Sequence, residues 1–585
     1  MPPSPFLLFD FAGTEGQPQR LCFTDPTRIV AAYALDEVQP ALRAVYQAAR
    51  AGSYAAGFVV YEAAPACDPA LRVRPPVGAL PLLWFGIFDA PTAAPESAPG
   101  TFTLSEWQPT VARPDYATAI DAVRAAIARG DTYQANYTMR LRAQFSGDDL
   151  AFYEQLRAAQ AASYCAYLNL GRYRILSASP ELFFRWDGAQ IVTRPMKGTA
   201  PRGRWPAEDD AQAAWLAASE KNRAENLMIV DLLRNDLGRI AQIGSVRVPA
   251  LFTVERYRTV HQLTSTVHAR TRPGTQLADI FTALFPCGSI TGAPKIETMK
   301  LLTKLEDTPR GVYCGAIGIV APGGAATFNV AIRTVALDTA TGTAEYGVGG
   351  GITWDSNAAD EYAEALLKAA LLRERWPSFE LLETMRLEQG EYTLRARHLA
   401  RLAASARYFG IPLHPPTAAA ALDTAAQQAG PGHWRVRLLV RQDGQARTEY
   451  QPLGPAPTAP CEVAWARTPV AANDRFLFHK TTHRAIYAAR RAEAPDAFDV
   501  LLWNQDEQVT EFTIGNLVAE IAGQLFTPPL DCGLLPGTLR AELLAQGTIH
   551  ERIITRAELA SATRLWLINS VRGWLPVRLR DPLPV

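Results

Sequence analysis

Residues 193–199 place one lysine, Lys197, where a side chain could take part in covalent chemistry. The segment follows apolar runs that are typical of a β-hairpin, and it sets the lysine between a proline and Gly198, which lets backbone or a ligand approach closely. A lysine held in a pocket can lose its proton and act as a nucleophile, whereas a lysine on the surface is a solvated charge. The segment alone is compatible with both interpretations.

Acidic side chains elsewhere in the chain could bind a divalent cation. Glu361 and Glu364 are three residues apart, so on a helix they share one face and repel each other unless a cation lies between them. Glu225 interrupts an otherwise apolar helical segment, where an acid needs a partner. With an acid from that earlier segment, the pair could hold Mg²⁺, which takes few carboxylates and keeps waters for substrate oxygens. Two solvated surface acids are the alternative.

Two glycine-containing stretches could approach a ligand through their backbones. Residues 285–295 form a Gly/Ser/Thr loop, with Ser289, Thr291 and Lys295, that leads into a helix whose first N–H groups would suit an anion. An ordinary capped turn is the alternative interpretation of this loop. Residues 347–351 are a glycine cluster after a strand, which taken alone is weak evidence for a binding site.

Length and composition restrict the possible classes of protein. A chain of 585 residues predicts several domains, and its hydrophobic content of 48% is ordinary for a globular protein. A formal net charge of zero gives no support for nucleic-acid binding. The seven cysteines are scattered without a CxxC pair, which argues against a zinc site or disulfide framework and favours a reducing cytoplasm. We find no signal-peptide pattern and no apolar stretch of about 18 residues, so we expect no membrane span.

Strands and helices alternate irregularly along the first part of the chain. Short apolar runs predict strands within residues 1–110, with a helix at 36–51 between them. The mixture lacks the regular alternation of a doubly wound sheet, so the predicted fold class is α+β. Further along we predict a helix from 116, a charged helix over 207–237, and strands over 312–320 and 326–336, the last carrying Arg333.

A boundary falls near Trp376, where residues 373–378 break a helix and Pro377 prevents its continuation. We therefore predict one domain over 1–375 and a second over 378–585. In the second domain, the pattern predicts helices from 398 and 417, strands at 434–441 and 461–466, and a helix opening at 475–484.

Several ordered motifs in the first domain resemble one known family. They are SASPELFF (177–184), PMKGT (195–199), ENLMIVDLLRNDLGRI (225–240), FPCGSITGAPK (285–295) and GVGGGITWDSNAADEYAE (347–364). Together they resemble the chorismate-utilising enzymes, which include the anthranilate, aminodeoxychorismate, isochorismate and salicylate synthases. The resemblance implies a large α+β sheet sandwich with its active site in a central cleft.

The resemblance also implies roles for individual residues. Aminodeoxychorismate synthases carry lysine where anthranilate synthases carry alanine, so Lys197 implies attack on the chorismate ring and loss of its 4-hydroxyl, after which ammonia displaces the lysine. Glu181 would donate the proton to the leaving hydroxyl. The implied magnesium ligands are Glu225, Glu361 and Glu364. The implied substrate-binding residues are His261, Thr291, Arg333, Gly349, Gly350 and Lys368.

The second domain resembles the fold-type IV pyridoxal-phosphate (PLP) enzymes, among them aminodeoxychorismate lyase and the branched-chain and D-amino-acid aminotransferases. The motifs are HLARL (398–402), HKTTHR (479–484), TEFTIGNL (510–517) and LLPGTLR (534–540). Any one of these lysines or arginines alone would be interpreted as a surface charge. The resemblance implies that Lys480 binds PLP covalently, Glu511 faces its pyridine nitrogen, and Arg401, Thr538 and Ser570 bind its phosphate.

The fusion itself suggests which reaction the second domain performs. A lyase that removes pyruvate from aminodeoxychorismate would act on the first domain's product and release the folate precursor 4-aminobenzoate. Because no Gly-x-Cys-x-Gly glutaminase motif is present, ammonia would come from a separate glutamine amidotransferase subunit. Fold-type IV sites usually lie at dimer interfaces, so a homodimer is a plausible expectation. The alternative is an anthranilate synthase-like domain fused to an amino-acid transaminase.

Overall fold

The computed structural model of the protein describes residues 5–12, 18–94, 100–457 and 460–580. The chain separates into two compact units. The first contains Met1–Pro201 and Ala213–Trp376, and the second contains Arg202–Gln212 and Pro377–Val585. The sequence analysis assigned residues 202–212 to the first domain, whereas they group with the second unit.

The first unit is built mainly from long antiparallel strands with helices between them. Its strands are β1 Phe6–Ala12, β2 Pro18–Thr24, β3 Arg28–Ala32, β4 Tyr54–Val59, β5 Leu83–Phe88, β6 Phe102–Leu104, β7 Gln108–Pro109, β8 Gln134–Gly147, β9 Tyr164–Asn169, β10 Tyr173–Ser179, β11 Leu182–Trp186, β12 Gln190–Arg194, β13 Met196–Pro201, β14 Arg247–Arg256, β15 Val260–Arg270, β16 Gly292–Ala293, β17 Ala316–Val320, β18 Ala326–Val330, β19 Thr334–Asp338 and β20 Thr343–Ile352. The α-helices that begin before Trp376 are α1 Leu35–Arg50, α2 Arg113–Ala128, α3 Asp149–Gln160, α4 Pro206–Ala218, α5 Glu220–Gly238, α6 Leu277–Leu284, α7 Lys295–Leu305 and α8 Ala358–Leu367.

Within the described residues, these strands form two ten-stranded sheets. The first sheet has the order β16-β8-β20-β19-β10-β9-β1-β2, with β6 and β7 also paired to β8. The second has the order β13-β15-β12-β11-β18-β17-β4-β5-β3, with β14 paired to β15. This arrangement confirms the predicted mixture of sheets and helices.

Strand β1 shows why a strand of the first sheet is apolar at nearly every position. Successive side chains of a strand point to opposite faces. Leu7 and Phe9 belong to one hydrophobic core, whereas Phe6 and Leu8 belong to a different one. Both faces of the sheet are therefore covered, and neither selects for polar residues.

The predicted strand over 326–336 is wrong as a single element. Strand β18 belongs to the second sheet and β19 to the first, and the chain crosses between the sheets at residues 331–333. Arg333 makes the turn with a φ of 51°, a left-handed conformation that is unfavourable for a residue with a β-carbon. Apolar residues stand on both sides of the crossing and no glycine or proline marks it, so the sequence was interpreted as one strand.

Other predicted boundaries also differ from the structure. The charged helix over 207–237 is two helices, because Ser219 ends the first run and caps α5 by accepting a hydrogen bond from Asn222 N. The strand predicted over 312–320 begins only at Ala316. The segment 475–484 contains one 3₁₀ turn, Arg475–Leu477, and α11 starts after it.

The second unit contains two further sheets. Its strands are β21 Leu381–Glu388, β22 Glu391–Tyr392, β23 His433–Val440, β24 Ala446–Pro452, β25 Cys461–Trp465, β26 Asp499–Trp503, β27 Val509–Phe512, β28 Asn516–Ile521, β29 Gln524–Thr527, β30 His550–Glu551, β31 Arg564–Asn569 and β32 Gly573–Leu579. Its helices are α9 Arg395–Phe409, α10 Pro415–Ala429, α11 Ala485–Ala492, α12 Thr538–Ala545 and α13 Arg556–Leu559. The described strands form a four-stranded sheet, β22-β21-β23-β24, and an eight-stranded mixed sheet, β27-β26-β25-β32-β31-β28-β29-β30.

Residues 202–212 are held in the second unit by buried polar contacts. Arg202 pairs with Asp209 at 2.6 Å and donates to the backbone oxygen of Tyr408 at 2.7 Å. The Tyr408 hydroxyl donates in return to Gly203 O at 2.7 Å.

In the part of the chain that the structure describes, no helix is long and apolar enough to cross a membrane.

Candidate active sites

The lysine singled out in the first unit lies in a cavity of about 170 Å³. It sits on β13, whose pairing with β15 is interrupted by a register shift between Met196 and Thr199. Gly198 occupies that shift with a φ of 95°, and a β-carbon there would stand only 3.0 Å from Asn222 Cβ. Glycine is required at this irregularity, which brings the Lys197 side chain to the cavity.

The surroundings of Lys197 act on its charge in opposite directions. Burial lowers the pKa of the Lys197 ammonium, and the nearby Lys368 lowers it further. The carboxylates of Glu225 and Glu181 raise it. The protonation state of this lysine therefore depends on whether those carboxylates are themselves neutralised.

Glu181 has the environment of a proton donor. It is 2% exposed, and burial raises the pKa of its carboxyl group to about 7 although Ser289 and Lys197 oppose this shift. Its Oε1 atom is buried and has no hydrogen-bond partner among the described residues. A carboxylic acid with a pKa near the ambient pH, with one oxygen still available to a ligand, suits general acid catalysis.

The three expected metal ligands line the same cavity. Burial raises the pKa of Glu225 and Glu361, and the other carboxylates add to the rise in both cases. Glu364 differs, because Lys368 pairs with it at 2.8 Å and lowers its pKa. Among the described residues, no three acidic, histidine or cysteine side chains are gathered closely enough to hold a metal ion. The donor types fit Mg²⁺, while the ion pair with Lys368 occupies one donor.

The glycine cluster forms one wall of the cavity. Gly349, Gly350 and Gly351 lie on β20, and a β-carbon on Gly349 would stand 2.2 Å from Tyr137 O. The Lys368 ammonium donates to Gly349 O at 2.9 Å. These residues therefore combine a close backbone approach with a cation at the edge of the site.

Gln134 is a residue that the sequence analysis missed. Both polar atoms of its side chain are buried without a hydrogen-bond partner in the described part of the chain. A β-carbon on Gly351 would meet Gln134 Nε2 at 2.0 Å and Lys197 Nζ at 3.0 Å, so the two nitrogens lie no more than about 5 Å apart. An unsatisfied buried amide is costly, which points to a ligand as its partner.

The other expected substrate residues are placed differently. Arg333 lines the cavity and donates to Gln160 Oε1, and burial lowers the pKa of its guanidinium. His261 and Thr291 are fully buried and do not belong to the lining. The Thr291 hydroxyl donates to Cys287 O, as in a structural turn. Lys295 pairs with Asp236 at 2.8 Å, also outside the lining.

The second unit has its own lysine in a cavity of about 380 Å³. Burial lowers the pKa of Lys480 to about 7, and Arg401 and Arg484 contribute to the lowering. Near neutral pH, about half of a lysine with this pKa is the neutral amine, which is the form that reacts with a carbonyl group.

Glu511 lies in the same cavity and is tightly held. It accepts hydrogen bonds from the Tyr487 hydroxyl at 2.8 Å, from Leu535 N at 3.0 Å and from Asn516 Nδ2 at 3.2 Å. Burial nevertheless raises the pKa of its carboxyl group to about 7. A fixed acid that shares a proton readily fits a partner for a pyridine nitrogen.

The expected phosphate end of this cavity is fixed by a histidine and a glutamate that the sequence analysis did not assign. His398 Nε2 lies 3.0 Å from Ser570 Oγ and 3.2 Å from Thr538 Oγ1, and its Nδ1 lies 2.6 Å from Glu383. Glu383 also pairs with Arg401 at 2.6 Å. Although burial opposes it, Arg401 and His398 lower the pKa of Glu383 to about 2.

The polar and charged groups of this cavity are of the types that bind PLP. Thr538 begins α12, whose first N–H groups suit a phosphate, and Ser570 and Arg401 line the same cavity. Lys480 and Glu511 are the two further groups that such a cofactor needs.

Comparison with known proteins also divides the chain into two domains. Residues 89–374 match the family described as chorismate binding enzyme, and residues 380–579 match the class IV aminotransferase family. The chain therefore joins a chorismate-binding domain to a class IV aminotransferase domain.

Individual relatives match the chorismate-binding domain. Aminodeoxychorismate synthase component 1 of Salmonella typhimurium is 45% identical over 287 residues, which are 49% of this chain and 61% of that protein. Anthranilate synthase component 1 of Methanothermobacter thermautotrophicus is 41% identical over 254 residues, which are 43% of this chain and 54% of that protein. The chain thus spans less than two thirds of the length of these curated relatives. A crystal structure of anthranilate synthase component I from Streptococcus pneumoniae superposes with a TM-score of 0.51 at 26% identity, covering 64% of this chain and 93% of that one.

Proposed function

We propose that the protein makes 4-aminobenzoate from chorismate in two steps, one in each domain. The observation that carries the proposal is the position of Lys197 in one cavity with Glu181, Glu225 and Arg333. A lysine there is what distinguishes aminodeoxychorismate synthases from the anthranilate synthases that this domain also resembles.

In the chorismate-binding domain, neutral Lys197 attacks the chorismate ring and the 4-hydroxyl leaves. Glu181 supplies the proton that turns the leaving group into water, as its pKa of about 7 and its unpartnered oxygen allow. Ammonia then adds at C4, the bond to Lys197 breaks, and the net change is the replacement of the hydroxyl group by an amino group. A covalent step divides a difficult displacement into two easier ones.

Glu225, Glu361 and Glu364 would hold Mg²⁺ in this domain. Burial is the main cause that raises the pKa of Glu225 and Glu361, and repulsion from neighbouring carboxylates adds to it, so a cation would stabilise the charged forms of these groups. The ion would neutralise these carboxylates and act as a Lewis acid toward substrate oxygens. Release of Glu364 from its ion pair with Lys368 would make the third carboxylate available to the metal ion. The freed ammonium of Lys368 would remain next to Gly349 O.

In the aminotransferase domain, the residues would carry out elimination of pyruvate from aminodeoxychorismate. PLP, when bound, supplies an electron sink for the carbon from which a proton is removed. Lys480 would hold the cofactor and move that proton, Glu511 would keep the pyridine nitrogen protonated, and Arg401, Thr538 and Ser570 would hold the phosphate. The His398–Glu383 pair keeps the hydroxyl groups of Thr538 and Ser570 in position.

Two partners follow from this proposal. Ammonia would come from a separate glutamine amidotransferase subunit, and the aminotransferase domains of two chains would form a homodimer. We propose cytoplasmic activity, since both steps use small soluble metabolites and no step needs an oxidising compartment.

Product analysis tests the proposal. The purified chain is incubated with chorismate, Mg²⁺, ammonium and PLP, and the aromatic products are separated by chromatography. We expect 4-aminobenzoate with an equimolar amount of pyruvate. Aminodeoxychorismate as the final product would retain the first step and reject the second. Anthranilate would reject the assignment based on Lys197 and favour the anthranilate synthase-like alternative with a transaminase domain.

A further inference from the structure

The cavity of the aminotransferase domain carries more positive charge than its cofactor would use. Besides Arg401, its lining contains Arg435, Arg437, Arg484 and Arg572. Glu511 is the only carboxylate in that lining within the described residues, and it is engaged by Tyr487, Leu535 and Asn516. The cavity therefore has unbalanced cations that call for an anion other than the phosphate.

The position of Arg435 follows from strand register. Arg435 and Arg437 are two residues apart on β23, so both side chains lie on the same face of the four-stranded sheet. Thr384 stands directly opposite Arg437 on β21 and also lines the cavity. Arg386, another cation, stands opposite Arg435. Like charges directly opposite each other destabilise a sheet, so this arrangement has a cost that a bound anion would offset.

Arg435 differs from Arg437 and Arg386 in having no acidic partner. Arg437 pairs with Glu449 at 2.8 Å, and Arg386 pairs with Glu388 at 2.6 Å. Arg572 donates one side-chain hydrogen bond, to Gly454 O at 2.7 Å. The backbone of Arg435 is paired in the four-stranded sheet, but its guanidinium makes no hydrogen bond or ion pair in the part of the chain that the structure describes. Arg435 is solvent-exposed, and its partial desolvation, together with the positive charges of Arg437 and Arg572, lowers the pKa of its guanidinium.

We propose that Arg435 and Arg572 bind a carboxylate of the substrate and make the aminotransferase domain selective for dicarboxylates. The inference rests on the proposed function, because aminodeoxychorismate retains both carboxylates of chorismate. One of them would bind near the cofactor, and the second would meet the paired guanidinium groups, whose planar N–H donors match a carboxylate. A monocarboxylic amino acid would leave these two arginines without a carboxylate partner.

Equilibrium binding to the PLP-loaded full-length protein tests this assignment. The visible absorbance of bound PLP is titrated with isophthalate, an unreactive aromatic dicarboxylate, and with benzoate. We expect isophthalate to bind more tightly than benzoate, and Arg435→Gln and Arg572→Gln to weaken it about 10- to 100-fold, as expected for loss of a hydrogen bond to a charged group. Benzoate binding should change less than about threefold. Arg435→Lys should recover only part of the loss, because an ammonium lacks the planar fork.

Arg441→Gln is the matched control. Arg441 follows the end of β23 directly and is outside the cavity lining, so its replacement removes the same charge without touching the site. We expect wild-type titrations for this variant. Equal weakening by Arg441→Gln and Arg435→Gln would overturn the proposal in favour of a general charge effect. Unchanged isophthalate binding in Arg435→Gln, or a change that only follows altered oligomeric state on size-exclusion chromatography, would also overturn it.

The dicarboxylate site and the lyase activity can be tested separately. If the wild-type protein releases no pyruvate from aminodeoxychorismate while isophthalate binding still depends on Arg435, the lyase proposal fails and the dicarboxylate site stands. If pyruvate is released and KM for aminodeoxychorismate is the same in Arg435→Gln as in the wild type, the lyase stands and the dicarboxylate site is rejected.

Discussion

The two cavities present the same residue type, lysine, in opposite electrostatic surroundings. Lys197 is flanked by carboxylates that raise its pKa against the effect of burial, whereas Lys480 is flanked by arginines that lower its pKa together with burial, to about 7. About half of Lys480 is thus a neutral amine at neutral pH before any ligand arrives. The pKa of Lys197 is also lowered overall, and neutralising its carboxylates would lower it further, which would couple its reactivity to cation and substrate binding. The comparison shows that the groups around a lysine decide when it is nucleophilic.

Replacing each lysine in turn with alanine should distinguish the roles of the two cavities most clearly. Lys197→Ala should lower formation of aminodeoxychorismate by on the order of 10³-fold or more, because the covalent step is lost. The visible absorbance of bound PLP should remain. Lys480→Ala should abolish that absorbance and leave aminodeoxychorismate as the accumulating product. Chromatography of products and a spectrum of each variant measure both effects, and loss of both steps in either variant would contradict the division of roles.

Acids provide the next comparison, because Glu181 and Glu511 both have a pKa of about 7. Glu181→Gln should reduce the first step about 10²- to 10⁴-fold, as expected for loss of a general acid. In the wild type, the step needs both protonated Glu181 and neutral Lys197, so its rate should follow a bell-shaped pH profile, and the limb near pH 7 that reports Glu181 should be missing from Glu181→Gln. Glu511→Gln should leave the first step unchanged and reduce only pyruvate release. A first step in the wild type that does not change between pH 6 and 8 would argue against Glu181 as the donor.

The Glu383 network should affect the aminotransferase domain alone. Glu383→Gln leaves Arg401 without its buried carboxylate, and breaking a buried ion pair costs about 3–5 kcal/mol. We expect the unfolding transition of this domain to move to lower denaturant concentration and PLP to bind more weakly, while the first step is retained. Glu388→Gln, on the same strand but at an exposed pair with Arg386, is the matched control and should cost no more than about 1 kcal/mol. Equal effects of the two substitutions would reject a special role for Glu383.

The smallest expected effect is the pH dependence of PLP uptake by the apoprotein. Because the pKa of Lys480 is lowered to about 7, its neutral fraction rises as pH increases through that value. Uptake, followed by stopped-flow absorbance, should therefore become faster between pH 6 and 8 and then level off. A rate that continues to rise toward pH 10 would mean that Lys480 keeps the pKa of an ordinary lysine.

Sequence patterns predicted the parts of both sites that carry recognisable motifs. Lys197, Glu181 and Glu225 come from separate motifs, and the structure places them around one cavity. Gln134 and His398 were missed in their roles because their environments depend on residues far along the chain. Gln134 meets Gly351 and His398 meets Ser570, and no local periodicity reports such contacts.

The errors in the fold have equally local causes. The strand over 326–336 was predicted as continuous because apolar residues stand on both sides of the point where the chain passes from one sheet to the other, and no glycine or proline marks that point. Arg333 adopts a positive φ at that point, a conformation that tertiary packing imposes and that arginine does not signal. The helix over 207–237 was divided by Ser219, a residue that caps a helix only when its side chain faces the next turn.

Intact-mass measurement of the covalent step would test the central claim most directly. The protein is incubated with chorismate and Mg²⁺ without ammonium, quenched, and analysed as the full chain and as peptides. We predict an added mass equal to chorismate less one water, located on Lys197 and missing from Lys197→Ala. No adduct in the wild type, or an equal adduct in the alanine variant, would contradict the assignment of Lys197 as the nucleophile.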